Sequence, residues 1–116
     1  MSYETRIQSI TDTMSRKLAD SRYEQRFKDF NRTILFDIED IGETYIIKVE
    51  NLKATIKPGI VGDPDISIIG TCQVVDRVIN GEVDAISAVM SNGLRVKGNM
   101  ADILDLKKLI SISQSF

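Results

Sequence analysis

The sequence predicts an α+β fold in which a five-stranded, mostly antiparallel sheet carries helices packed on one face. Two observations predict it. Apolar residues recur with a helical period at both ends of the chain and with a period of two in the middle. The elements follow as two helices, four strands, two helices, one strand and one helix, without a repeat or a linker. The 116 residues fit one domain, 1–116, with a helix pair at 4–30 and the sheet and remaining helices at 32–112.

The N-terminal region predicts two helices rather than one. Apolar stripes over residues 7–18 and 23–30 fall on nearly opposite sides of a wheel that advances about 100° per residue. One straight helix buries only one such stripe, and a coiled-coil arm would need a single sustained one. Ser21 begins a capping-box pattern between the stripes. We therefore expect one helix over about residues 4–19 and a second over 22–30, rotated to face the core.

The middle of the chain predicts an antiparallel meander. Apolar and polar residues alternate over 32–39 and again over 44–49, after a glycine-containing loop. The tight turn at 51–52 leads into a third strand over 53–57, and a fourth follows over 65–69. Because the connections are short, we expect consecutive strands to be neighbours. The polar alternate positions indicate that one face of the sheet meets water.

The C-terminal part turns helical again. Thr71 is a candidate N-cap for a helix that ends at 80–81, and Asp84 is one for a short second helix. A brief strand over 94–97 follows, and Asn99 caps a last helix. The apolar residues of this last helix cover about 200° of the wheel, broader than the stripe that seats a helix on a core. Either the helix is buried on two sides, for example by a dimer partner, or it also walls an apolar cavity.

Composition narrows the classes of function. With 15 Lys+Arg against 17 Asp+Glu, the formal charge of −2 argues against nucleic acid as a partner. Histidine is absent, which excludes His-based nucleophilic pairs and His-ligated zinc. The single cysteine forms no internal disulfide, and we expect neither a signal peptide nor a membrane-spanning run. The composition predicts a small soluble cytoplasmic domain that is not an enzyme and has no metal or cofactor.

Three carboxylate pairs and one thiol are the candidates for chemistry. The pairs lie in predicted turns, where acidic residues are common. The thiol of Cys72 begins a helix but lacks a histidine to act as its base. We interpret all of them as structural. The pairs are Glu39 with Asp40, Asp63 with Asp65, and Glu82 with Asp84.

Two groups of cations complete the survey. The basic run over residues 22–32 predicts the solvated side of the second helix, with transient contact to an anionic membrane surface as the alternative. Its members are Arg22, Arg26, Lys28 and Arg32. Lys107 and Lys108 lie where we expect the last helix to end, a position that favours cations.

The chain resembles the sterol carrier protein 2 family of lipid-transfer domains. Asp65 leads a strand, a helix ends at Gly81, and a short alanine-containing helix follows. The family's pattern of a small residue, Leu, a basic residue, Val, a basic residue and Gly then appears at 93–98. The strands from 33 onward resemble the family's opening strands, so the likeness covers about residues 30–112. One departure is the turn at 51–52, Asn-Leu, where the family usually has a glycine.

The resemblance implies a five-stranded sheet and helices around an apolar tunnel that holds an acyl chain, a fatty acyl-CoA or a sterol- or isoprenoid-like lipid. The alternative function is a non-catalytic accessory or dimerisation module for a lipid- or quinone-metabolising enzyme. The partner implied by the resemblance is the lipid itself. The basic run adds transient contact with an anionic membrane as a candidate, and the broad apolar last helix adds a second copy in a homodimer. We expect the lipid-lining residues to be Val75, Val78, Ile79, Val89, Met90, Leu94, Val96, Met100, Ile103 and Leu104.

Overall fold

The computed structural model describes residues 3–79 and 93–113. Helices and strands follow in the predicted order through this part of the chain, and the predicted helix at Asp84 lies outside it. The elements are α1 (Tyr3–Leu18), α2 (Ser21–Phe27), β1 (Arg32–Ile38), β2 (Glu43–Glu50), β3 (Lys53–Pro58), β4 (Ile66–Gly70), α3 (Cys72–Ile79), β5 (Leu94–Gly98) and α4 (Met100–Ser113).

The five strands form one sheet in the order β3-β2-β1-β4-β5. β1 pairs with β2, β2 with β3, and β4 with β5, all antiparallel, whereas β1 and β4 are parallel. The predicted α+β fold with a mostly antiparallel five-stranded sheet is therefore confirmed. The predicted meander is wrong at β4, which lies beside β1 and not beside β3. Alternation marks a strand but does not encode its neighbour.

The segment 59–65 explains how β4 reaches β1. It begins at Gly59, where an added Cβ would lie 3.6 Å from Cδ1 of Ile46. Side chains alternate along β2, so Ile46 lies on the opposite face of the sheet from Tyr45 and Ile47. The segment therefore begins beside that opposite face. The segment ends where the Asp65 N–H donates to the Thr33 carbonyl at 2.9 Å. It thus carries the chain from the far end of β3 back to the start of β1, so that β4 runs parallel to β1.

One apolar core lies between the helices and one face of the sheet. α1 packs against β3, α2 and α4, and α4 also packs against β5. Thr11 is buried in α1, and its hydroxyl donates to the Ile7 carbonyl at 2.7 Å. The α1 stripe predicted from the sequence is confirmed as core. Its members and those of β1 are Ile7, Ile10, Met14, Leu18, Ile34, Phe36 and Ile38.

Capping residues set the bounds of the helices. Asn99 accepts from the Ala101 N–H at 2.8 Å, and Thr71 accepts from the Val74 N–H at 3.4 Å, as predicted. The predicted capping box at Ser21 is wrong by one residue, because Asp20 is the N-cap of α2.

The end of the last helix also differs from the prediction. α4 continues to Ser113 and has no basic residue in its last turn. Lys107 and Lys108 therefore lie in the middle of the helix, so the helix dipole does not explain them.

The turn between β2 and β3 has an unusual backbone. Asn51 has a φ of 52° and Leu52 a φ of 61°, the two positive values of a type I′ hairpin turn. The Asn51 N–H donates to the side-chain oxygen of Asn31 at 3.1 Å. A left-handed conformation costs a leucine about 1–2 kcal/mol, so the surrounding hairpin stabilises this one.

Candidate functional site

Two of the predicted lining residues meet above the end of β4. Val75 of α3 and Leu94 of β5 are both buried, with 2% and 4% of their surface exposed. Between them lies Gly70, where an added Cβ would be 2.9 Å from Leu94 Cδ1 and 3.5 Å from Val75 Cγ2. A side chain at position 70 would therefore push against the tip of the Leu94 side chain, which would have to move.

Other predicted lining residues lie farther along β5 and α4. Val96 is opposite Ile68 in the sheet, and Val96 and Ile103 are half-buried against the core. Met100 and Leu104 are exposed, by 67% and 49%. The backbone of Val78 and Ile79 belongs to α3 but their side chains lie outside the described residues, as do Val89 and Met90 altogether.

Several predicted lining residues are more exposed than the core beside α1. Beneath α1 the side chains of Ile7, Met14, Leu18 and Phe27 are almost completely buried, with at most 1% exposed. By contrast, the partly exposed apolar residues of the predicted set lie on β5 and α4. The candidate lipid site is the region of β4, β5, α3 and α4 that carries these predicted residues.

A separate open groove of about 370 Å³ lies at the start of α1 and the ends of β2 and β3. It is lined by Glu4, Glu43, Thr44, Tyr45, Pro58 and Gly59, and the Tyr45 hydroxyl donates to the Glu43 carboxylate. None of the predicted lining residues is among them. Two carboxylates at its wall suit water better than an alkyl chain.

Three of the candidate carboxylates have structural partners, whereas Glu82 and Asp84 lie outside the described residues. Asp40 accepts from the Cys72 N–H at 2.9 Å, Glu39 pairs with Arg95, and Asp65 accepts from the Thr33 N–H at 2.8 Å. Burial, with Asp40 nearby, raises the pKa of the Cys72 thiol, so the thiolate needed of a nucleophile is disfavoured. No group of three or more candidate metal ligands occurs within residues 3–79 and 93–113.

The basic run is largely paired. Arg22 bonds Asp20 at 2.7 Å, Arg26 bonds Asp105 at 3.3 Å, and Arg32 bonds Asp102 at 2.8 Å. The Arg26 pair ties α2 to α4 and the Arg32 pair ties β1 to α4, whereas the Arg22 pair is local to the start of α2. These three arginines thus have carboxylate partners, and contact of the run with an anionic membrane stays a prediction.

A family model described as the SCP-2 sterol transfer family matches residues 11–111. The chain belongs to this family. The match spans every strand, the second half of α1 and most of α4, and proteins of the family are generally non-catalytic lipid carriers. No match was found among curated proteins.

Solved structures share the SCP2 fold. A UbiJ-SCP2 ubiquinone synthesis protein is 12% identical, with a TM-score of 0.76 over 97% of this chain and 99% of that one. Palmitated SCP2L2 from Aedes aegypti is 20% identical, with a TM-score of 0.69 over 95% of each chain. At these identities the likeness shows the fold alone.

The fold also occurs as part of a larger protein. In a double mutant of the sec-alkyl sulfatase PisA1, 16% identical with a TM-score of 0.68, the match covers 79% of this chain and 14% of the sulfatase. This chain thus spans about one seventh of the length of that protein.

The SCP2 signature at 93–98 has a clear structural role. It consists of Gly93 and the five residues of β5. Its last residue, Gly98, has a φ of 147°, and an added Cβ there would lie 2.6 Å from the Asp65 carbonyl oxygen. Sequence reasoning missed the contribution of Gly70, although a glycine between a strand and a helix was a visible signal. It also missed the exposure of Met100 and Leu104, since both fit an apolar stripe. No helix of the described segments is long and apolar enough to cross a membrane.

Proposed function

We propose that this protein holds a lipid with a long apolar chain and transfers it without catalysis. The ligand class is an acyl chain, a fatty acyl-CoA or a sterol- or isoprenoid-like lipid. The observation that carries the proposal is the match of a sterol transfer family to residues 11–111. The palmitated state of the mosquito protein, whose fold this chain shares, favours an acyl chain among these ligands.

The proposed site lies between α3, β5 and α4. Val75, Leu94, Val96 and Ile103 supply apolar surface there, and Val96 and Ile103 are only partly buried. Exposed Met100 and Leu104 would contact a lipid only at the mouth of this site. The remaining proposed lining residues are Val78, Ile79, Val89 and Met90.

Chain-length dependence tests the proposal. Each buried methylene contributes about 0.8 kcal/mol, so a sixteen-carbon acid should bind far more tightly than a four-carbon acid. We expect delipidated protein to bind palmitate or palmitoyl-CoA with a Kd on the order of 1–10 μM in isothermal titration calorimetry, and butyrate not measurably. Equal heats for palmitate and butyrate would contradict an apolar site.

A pair of variants locates the site. Val96→Gln adds a polar group at the half-buried position of β5, whereas Ile60→Gln makes the same kind of change at a residue that is 76% exposed in the segment 59–65. We expect Val96→Gln to weaken palmitate binding about tenfold and Ile60→Gln to leave it unchanged. Circular dichroism checks that both variants are folded. Unaltered binding by folded Val96→Gln would place the lipid elsewhere.

A second candidate is an accessory module for a quinone-metabolising enzyme. It is favoured by the likeness to the ubiquinone synthesis protein, which extends over 97% of this chain and 99% of that one. Such a module would act as a homodimer or bound to its enzyme. Sedimentation velocity, alone and with candidate enzymes, separates the two functions. A monomer that stays unchanged in the mixtures would favour the carrier.

We further propose a cytoplasmic location. Cys72 is the single cysteine of the sequence, so the fold needs no disulfide and no oxidising compartment. Fractionation of cells that produce the protein tests this, and recovery from an oxidising compartment would contradict it.

A further inference from the structure

The solvent-facing side of α4 has an unusual composition. Met100 and Leu104 are exposed, and Lys108 is exposed beside the partly exposed Lys107. At about 100° per residue these four side chains fall within an arc of about 100° on the helix. We call them the α4 outer stripe. It combines two large apolar side chains at the start of the helix with two cations one to two turns later.

The charges on α4 are separated by side. Asp102 lies on the far side of the helix from the stripe and pairs with Arg32 at 2.8 Å. Asp105 lies about 60° from Lys108 on the helix, and its carboxylate pairs with Arg26 at 3.3 Å. No carboxylate of the described segments forms an ion pair with Lys107 or Lys108. The stripe therefore presents uncompensated positive charge beside exposed apolar surface, and the position of the lysines in mid-helix has no dipole explanation.

We propose that the α4 outer stripe docks on an anionic lipid bilayer. A helix that lies in the membrane interface buries its apolar side chains at the headgroup boundary and places lysines against anionic headgroups. The stripe has both parts in one arc, and both acidic residues of α4 are paired with arginines.

This inference goes beyond the proposed lipid site and has a separate readout. The full chain is mixed with vesicles of phosphatidylcholine alone or with about 30% phosphatidylserine, and binding is measured by co-sedimentation at low and high salt. Each lysine near such a surface contributes about 1 kcal/mol. We expect binding only to the anionic vesicles, with Lys107→Gln/Lys108→Gln about 30-fold weaker.

Matched variants separate the effect of the α4 outer stripe from the effect of a change in net charge. Lys53→Gln/Lys57→Gln removes the same charge from β3, at the opposite edge of the sheet from β5, and should bind like the parent. Met100→Ser/Leu104→Ser should also lose binding to anionic vesicles, because the apolar anchor is removed. Native mass spectrometry on Lys107→Gln/Lys108→Gln reports lipid content independently, so a failure of the proposed function would be distinguished from a failure of docking.

Three results would overturn the proposal. The first is that the unsubstituted protein does not bind anionic vesicles. The second is that Lys53→Gln/Lys57→Gln loses as much binding as Lys107→Gln/Lys108→Gln. The third is a dimer in sedimentation equilibrium that Met100→Ser/Leu104→Ser dissociates, which would assign the stripe to a second copy.

Discussion

The hydroxyl of Ser15 bonds both backbone groups of Ala54. It donates to the Ala54 carbonyl at 2.7 Å and accepts from the Ala54 N–H at 2.8 Å. β3 is an edge strand, so Ala54 would otherwise present an unpaired donor and acceptor. One side chain of α1 thus completes the hydrogen bonding of the edge and fixes the helix on the sheet. Farther along the same strand, Pro58 has no N–H to offer.

Replacing Ser15 by alanine should lower the free energy of unfolding by about 2 kcal/mol, because two part-buried backbone groups lose their partner. Ser9→Ala is the matched control, since Ser9 is exposed on the same helix. Urea denaturation followed by circular dichroism measures both. Equal stability of the two variants would show that water replaces the hydroxyl without cost.

Gly98→Ala should destabilise the fold by about 3 kcal/mol or more. Its φ of 147° is unfavourable for any other residue, and the new Cβ would lie 2.6 Å from a backbone oxygen that is unable to move aside as a side chain could. Gly62→Ala is the control, because nothing lies within 4 Å of an added Cβ there. Thermal unfolding compares the pair, and a Gly98→Ala variant as stable as Gly62→Ala would contradict the geometry of β5.

The backbone of the β2–β3 turn predicts different changes in stability for two substitutions at Asn51. At a φ of 52°, Asn51→Ala should cost about 1 kcal/mol, while Asn51→Gly should be close to neutral because glycine adopts positive φ freely. Chemical denaturation of both variants is the measurement. Alanine and glycine of equal stability would mean that the turn has a different backbone.

Asp20, the N-cap of α2, should make the free energy of unfolding depend on pH. Hydrogen bonds from Arg22 lower the pKa of Asp20 from 3.8 to about 2. Because the folded pKa is the lower one, the stabilisation is complete above the unfolded pKa and is lost as the pH falls through the folded pKa.

The test compares the parent with Asp20→Asn, which keeps a capping side chain without the charge. The stability gap between them should be constant above about pH 5 and should shrink between about pH 4 and pH 2. Arg26→Ala, which breaks a different ion pair, should leave the Asp20 titration unchanged. If the difference in stability between the parent and Asp20→Asn does not vary with pH, the hydrogen bonds from Arg22 do not lower the pKa of Asp20.

Sequence patterns predicted the elements better than their partners. The α1 stripe from Ile7 to Leu18 and the alternation through β1 mark which side of each element is buried, and both were confirmed. The place of β4 beside β1 depends on the segment 59–65, whose path is a property of the whole sheet. The N-cap at Asp20 was missed because Ser21 offers an equally good pattern one residue later.

The candidate site shows the same division. Val75 and Leu94 were selected from helical and strand periods, and the structure brings them together over Gly70. Met100 and Leu104 share the apolar pattern of α4, yet their exposure follows from how α4 sits on α1 and β5. A helical wheel shows how widely the apolar residues of α4 are spread around the helix. Only the packing of α4 decides which of them face solvent.

Gentle native mass spectrometry of the purified protein, followed by organic extraction, tests the central claim most directly. The account predicts an adduct with the mass of an acyl chain or an isoprenoid lipid, which passes into the organic phase. A bare polypeptide mass that stays unchanged after palmitate or palmitoyl-CoA is added would contradict it.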